Sequence, residues 1–104
     1  IAIMYMTEKV YYDPKHGGCQ RIMTRTKPNL SIIKGAYGDD EEQTGYWFAE
    51  VSHFRNKKIG NKTYNISVNF EHKQGLTHKP KYHAYIKNRE IHWEDGNIWK
   101  ELYA

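Results

Sequence analysis

Apolar and polar residues alternate along much of this chain. In "TYNISVNFE", Tyr64, Ile66, Val68 and Phe70 fall on one face, with Thr63, Asn65, Ser67, Asn69 and Glu71 on the other. A helix would scatter both sets around its circumference, so the stretch predicts a half-buried antiparallel strand. "YWFAEVSHF" sets Trp47, Ala49 and Val51 against Glu50, Ser52 and His53, with Tyr46 and Phe48 making both faces partly apolar. "KYHAYIK" sets Tyr82, Ala84 and Ile86 against His83, Tyr85 and Lys87, and "EIHWE" sets Ile91 and Trp93 against Glu90, His92 and Glu94. "CQRIMTRT" and "NLSIIKGAYG" are weaker strands rich in β-branched residues, and "NIWKELY" completes a final hairpin.

Turn signals separate these runs: "DPKHGG", "TKPN", "GDDEEQTG", "NKKIGN", "KQGLTHKP", "KNRE" and "EDGN". They recur roughly every 8–14 residues, the spacing of an all-β meander, sandwich or barrel. No amphipathic helix is predicted, and only a short helical turn is allowed near Asp13-Pro14, where Pro suits a first helical position. About seven or eight short strands must bury one face and dispose of two sheet edges, and closing on themselves does both. The expected fold is all-β: a small antiparallel up-and-down barrel. Its expected core contains Trp47, Tyr64, Ile66, Val68, Phe70, Ala84, Ile86 and Ile91.

The final hairpin has two open registers. A two-residue Asp95-Gly96 loop pairs Trp93 with Ile98 and leaves Trp99 facing outward. A three-residue Asp95-Gly96-Asn97 loop with a bulge sets Trp93 opposite Trp99, buries both indoles and exposes Leu102.

A length of 104 residues fits one domain, expected over residues 1–104 with residues 1–9 as a peripheral amino-terminal segment. The single cysteine, Cys19, excludes an internal disulfide, a zinc knuckle and a Cys-x-x-Cys redox pair. The apolar opening "IAIMYM" is too short for a signal core, and no run approaches the roughly 20 apolar residues of a membrane span. Three Asn-x-Ser/Thr triplets begin at Asn29, Asn61 and Asn65; with no disulfides and no secretory signal they read as chance. A cytoplasmic protein without membrane association is expected. The formal charge of +4 is modest, and the basic clusters "FRNKKIGNK" and "HKPKYH" read as solvated loop tips. Nine tyrosines and three tryptophans change the picture more, because aromatics suit pleated surfaces and ligand stacking alike.

"YYDPKHGGCQR", "IIKGAYGDDE", the "W-x-A" strand, "ISVNFEHK" and "IHWEDGNIW" resemble a group of small avidin-like or lipocalin-like β-barrel proteins. The matching pieces run from Val10 to Tyr103. The resemblance implies an up-and-down barrel with ligand binding at one mouth. "GYWFAEV" followed by "TYNISVNFEH" also resembles the core of a Tudor or Agenet module. That resemblance implies an aromatic cage for methylated lysine, here Tyr46, Trp47, Tyr64 and Phe70.

No catalytic signature stands out. Cys19 and His16 lie three residues apart in a Gly-rich loop without an evident orienting group, so Cys19 reads as a structural thiol. Asp39, Asp40, Glu41 and Glu42 lack calcium-loop spacing and read as a solvated acidic loop. His53, His83 and His92, each placed on a polar strand face, read as surface residues rather than a zinc or copper site. The expectation is a non-catalytic module with no metal and no cofactor, binding a small ligand or glycan at one mouth through Tyr12, Asp13, Tyr37, Asp39, Trp93 and Asp95. A peptide or methyl-lysine reader is the alternative. Single-stranded nucleic-acid binding beside Arg55, Lys57 and Lys58 is the second.

Overall fold

The computed structural model describes residues 7–16, 20–36, 45–73 and 79–102. They form eight antiparallel strands: β1 (Glu8–Tyr12), β2 (Gln20–Lys27), β3 (Leu30–Ala36), β4 (Tyr46–Ile59), β5 (Lys62–Asn69), β6 (Lys81–Lys87), β7 (Glu90–Trp93) and β8 (Ile98–Glu101). Each strand pairs with the next, and β1 pairs with β8 through Tyr11↔Glu101 and Tyr12↔Lys100. The expected up-and-down barrel is therefore closed, which removes both sheet edges. There is no helix among the described residues; at Asp13 the chain makes a hydrogen-bonded turn in which His16 N–H donates to the Asp13 carbonyl. Strand β1 was not legible as a strand, yet Glu8 and Lys9, expected to be peripheral, pair with Thr24 and Met23 in the barrel wall.

Alternation sorts the interior. Ile33, Ala49, Val51, Ile66, Val68, Ala84 and Ile91 are at most 1% exposed and meet at mid-height of the barrel. Burying each Ile or Val contributes about 1.5–3 kcal/mol. This layer divides the barrel into two cups. One opens at the end carrying the β1–β2, β3–β4, β5–β6 and β7–β8 connections, called here the loop end. The other opens at the turn end, where β2–β3, β4–β5 and β6–β7 are joined by two-residue turns.

Turn chemistry fixes these registers. Asn88 (φ 53°) and Arg89 (φ 66°) both have positive φ between the paired Lys87 and Glu90, the signature of a type I′ hairpin. The final hairpin takes neither register read from its sequence. Trp93 N–H donates to the Asn97 carbonyl and Gly96 N–H to the Trp93 carbonyl, so Glu94-Asp95-Gly96 is the loop. Only Gly96 has positive φ (92°), as in a type I turn followed by a glycine bulge. Ile91 then faces Trp99, both indoles point inward and Leu102 is exposed.

The hairpin of β4 and β5 extends past the barrel. The β5–β6 ladder stops at Ile66↔Ala84, whereas β4 and β5 stay paired out to Ile59↔Lys62, with a register shift between His53 and Lys57. Asn65 ends the ladder with its side chain, Oδ1 accepting from Ile86 N–H (2.8 Å) and Nδ2 donating to the Ile86 carbonyl (3.1 Å). The tip is thus a two-stranded ribbon, and the expected loop-tip basic residues Arg55, Lys57 and Lys58 lie exposed on it.

Candidate functional site

The loop-end cup begins with one residue after β1. Tyr11 points inward and Tyr12 outward, so alternation turns Asp13 inward, where it is 4% exposed. Asp13 Oδ1 accepts from Lys15 N–H (2.9 Å), closing the turn, and from Asn97 Nδ2 (2.9 Å). Asp13 Oδ2 faces Arg21 Nη2 at 3.7 Å, and Arg21 is itself 2% exposed. A buried guanidinium is tolerated only with compensating charge and contacts. Arg21 has both: its guanidinium lies 5.1 Å from the Trp47 ring centroid and 5.9 Å from that of Trp99.

Gly35 makes this stack possible. Arg21, Gly35 and Trp47 are consecutive across β2, β3 and β4. A Cβ on Gly35 would fall inside the Trp47 indole, against Cζ2 and Cε2. The missing side chain lets the indole lie across the glycine and reach the guanidinium.

Phe70 joins the aromatic floor, 5.7 Å from both Trp47 and Trp93, and Trp93 lies 4.7 Å from Trp99. Tyr82 packs edge-on to Phe70 at 6.0 Å. Above them is a cavity of about 290 Å³ whose wall also includes Asp13, Lys73 and Asn97. Lys73 Nζ sits 5.1 Å from the Trp47 centroid; burial and the nearby Arg21 charge lower its pKa, with Asp13 opposing. Asp95 stands on the exposed rim, pairing with Lys15 at 3.7 Å and accepting from Asn97 N–H. Two buried donors, Trp93 Nε1 and Arg21 Nε, have no hydrogen-bond partner.

Asp13, Trp93 and Asp95 were read from sequence, and the structure brings them together in one cup. Tyr12 lies on the outer face of β1, 37% exposed and away from the cavity. Tyr37 and Asp39 fall outside the described residues, as do Cys19 and the acidic run 39–42. Sequence reasoning missed Arg21, Tyr82, Asn97 and Trp99 as site residues, and it named Trp47 and Phe70 for a site only as members of the alternative methyl-lysine cage. The available signal was "QRIMTRT", whose period of two sets Arg21 and Arg25 on the face of Met23.

Other constellations are dispersed. Trp47 and Phe70 face inward together, but Tyr46 is 60% exposed on the outer face and Tyr64 packs against His83 at 5.5 Å, so the four-ring cage is not assembled. His53 does not share an outer face with His83 and His92: alternation with Val51 turns it into the barrel, where its Nε2 lies 2.7 Å from Ser31 Oγ. His92 pairs with Glu90 at 2.9 Å. Glu94 Oε1 accepts from His83 N–H, and Oε2 from Lys79 Nζ, both at 2.7 Å. Burial pushes the Glu94 pKa up, but these donors more than offset it and leave the carboxyl below its usual value. No helix among the described residues is long and apolar enough to cross a membrane. Comparison with protein-family models, curated proteins and solved structures returns no match.

Proposed function

We propose that this barrel is a non-catalytic binding module that takes a small neutral polyhydroxyl ligand, such as a glycan unit, in the loop-end cup. The observation that carries this reading is a cavity lined by Trp47, Trp93 and Trp99 beside the Asp13 carboxylate and the Asn97 amide, with two unpartnered donors, Trp93 Nε1 and Arg21 Nε, buried in its wall. An unmade buried hydrogen bond costs about 1–3 kcal/mol, and a small shift of either side chain toward a ligand oxygen in the cup relieves that cost. Sugar rings offer acceptor oxygens at their edges and apolar C–H faces for Trp47, Trp93 and Trp99, while the Asp13 carboxylate and Asn97 amide receive and donate hydroxyl hydrogen bonds. Asp13 is held by Arg21, Asn97 and its own turn, which suits an orienting group rather than a proton-transferring one.

All three tryptophans of the chain line this cup, so the site reports on itself. Titrating a panel of neutral di- and trisaccharides should shift the indole Nε1–H resonances for at least one member. Trp93→Phe, which removes the donor and keeps an aromatic ring, should weaken that binding about tenfold. A panel that moves none of the three indoles refutes the reading. The exposed ribbon bearing Arg55, Lys57, Lys58 and Lys62 favours nucleic-acid binding as a second reading, tested by titrating single strands near 0.15 M salt.

A further inference from the structure

The opposite, turn-end cup has different chemistry. It is a cavity of about 370 Å³, roughly the volume of a dozen water-sized atoms, separated from the aromatic cup by the aliphatic mid-layer. Its floor and one wall are apolar, formed by Met23, Phe54, Ile66 and Ile86. Its polar side gathers Lys9, Arg25, Ser31 and His53. Arg25 and Ser31 are cross-strand partners on the interior face of β2 and β3, and Ser31 is 2% exposed.

Among the described residues, the Arg25 guanidinium has no counter-ion. No carboxylate among the described residues lies within ion-pair distance of it, and its buried Nε has no hydrogen-bond partner. Lys9 pairs with Glu101 at 3.7 Å, but Glu101 also faces Arg89 at 3.8 Å and is shared between two cations. His53 brings no negative charge. Burial first, then the Arg25 charge, lowers its pKa to about 4, so the ring is neutral near pH 7. Tyr11 is neutral as well, its pKa raised to about 12 by burial and by Glu101.

The rim repeats the sign of the interior. Lys27, Lys57, Lys58, Lys62, Lys87 and Arg89 are exposed at the strand ends around this mouth, against Glu8 and Glu90. A low-dielectric cup whose rim carries an excess of one sign of charge draws in the opposite one.

We propose that the turn-end cup binds a small amphipathic monocarboxylate, its carboxylate on Arg25 and Ser31 and its apolar body against Met23, Phe54, Ile66 and Ile86. An acceptor at Ser31 fixes the direction of the serine–histidine bond. Ser31 Oγ–H donates to the ligand while Oγ accepts from His53 Nε2–H, so the imidazole orients the hydroxyl. One unpaired guanidinium matches one negative charge. A planar carboxylate suits its parallel N–H donors.

The test uses the full chain, with decanoate as the linear probe and 2-naphthoate as the aromatic one. Decanol supplies the same tail without charge, and a short oligothymidylate serves as a polyanion. Calorimetry near 0.15 M salt should give saturable one-to-one binding of at least one acid and binding at least tenfold weaker for decanol. Which acid binds better distinguishes a chain-like from a ring-like natural ligand. Arg25→Met, which keeps the aliphatic stem, should weaken acid binding by about ten- to a hundredfold. Should that variant not fold, methyl resonances of the unsubstituted chain decide: the acid should move Met23, Ile66 and Ile86 and leave the Trp47, Trp93 and Trp99 indoles still. Three results overturn the proposal: neither acid saturates, decanol binds as tightly, or oligothymidylate outcompetes the acids. An indole response to acid overturns it too, by returning the site to the loop-end cup.

Discussion

Replacing Arg21 by Met tests whether the loop-end cup is organised around a buried ion pair. Met preserves much of the aliphatic volume between Trp47 and Trp99 but removes the guanidinium that faces Asp13 at 3.7 Å. Asp13 would keep Asn97 Nδ2 and Lys15 N–H on Oδ1, each at 2.9 Å, while Oδ2 lost its cation. Removing one partner of a buried pair costs about 3–5 kcal/mol, because the remaining charge stays desolvated. Two retained hydrogen bonds place the expectation at the lower end, about 3 kcal/mol. For a domain of this size that lowers the unfolding midpoint by roughly 12–24 °C. Asp13→Asn on the same background removes the stranded charge and should restore at least about 1 kcal/mol, because an amide oxygen still accepts both hydrogen bonds. Thermal and urea unfolding of the unsubstituted chain, both single variants and the double variant, followed by tryptophan fluorescence, close the cycle. A cost below about 0.5 kcal/mol for Arg21→Met, or no recovery in the double variant, would show that the pair is solvated and the argument wrong.

Gly35→Ala should destabilise by about 1–3 kcal/mol and change the near-ultraviolet circular dichroism, since the added methyl collides with the rigid Trp47 indole; an unchanged spectrum would mean the indole does not lie across the glycine. Gly96→Val meets no steric neighbour but must adopt φ of 92°, so its cost, about 1–2 kcal/mol in urea unfolding, is purely conformational; a neutral result would contradict the bulged turn. His53 should make stability fall as pH drops. Its folded pKa of about 4 lies below the unfolded value near 6.5, so between those limits the unfolded chain takes up a proton that the folded chain refuses. Allowing for half-burial, the His53→Gln variant should lose about 1–2 kcal/mol less than the parent between pH 6.5 and 4; parallel stability curves would refute the neutral, buried imidazole.

Period two was enough to read most of the barrel, because a strand with one dry face cannot slip by a residue without exposing its core side chains. Strand β1 escaped notice for a physical reason: "EKVYY" places Lys9 on the interior parity, where its partner is Glu101 from the other end of the chain, and no local pattern announces that pairing. His53 was misplaced on a polar face even though it shares the parity of Val51. Its polar type suggests an outer face while its position dictates the inner one, and the same holds for Arg21 and Arg25, which occupy the interior parity of β2 beside Met23.

Those departures from the apolar pattern, more than the pattern, locate the chemistry. The aliphatic layer at mid-height needs no polar group, and it contains none. Above it lie Arg21 and Asp13, below it Arg25, Ser31 and His53, each at a place where an apolar residue would pack at lower cost. The two sets differ in how completely they are compensated. Arg21 has a carboxylate and two indoles, so its own charge is met before any ligand arrives; what remains unmet there are the hydrogen bonds of Arg21 Nε and Trp93 Nε1, the ground on which an oxygen-rich guest is proposed. Arg25 has no carboxylate within reach among the described residues, so what remains unmet at the other end is charge itself, the ground on which an anion is proposed. On the two proposals, one barrel wall supports two cups of different demand. A ligand that bound both with equal affinity would undercut the reasoning for each.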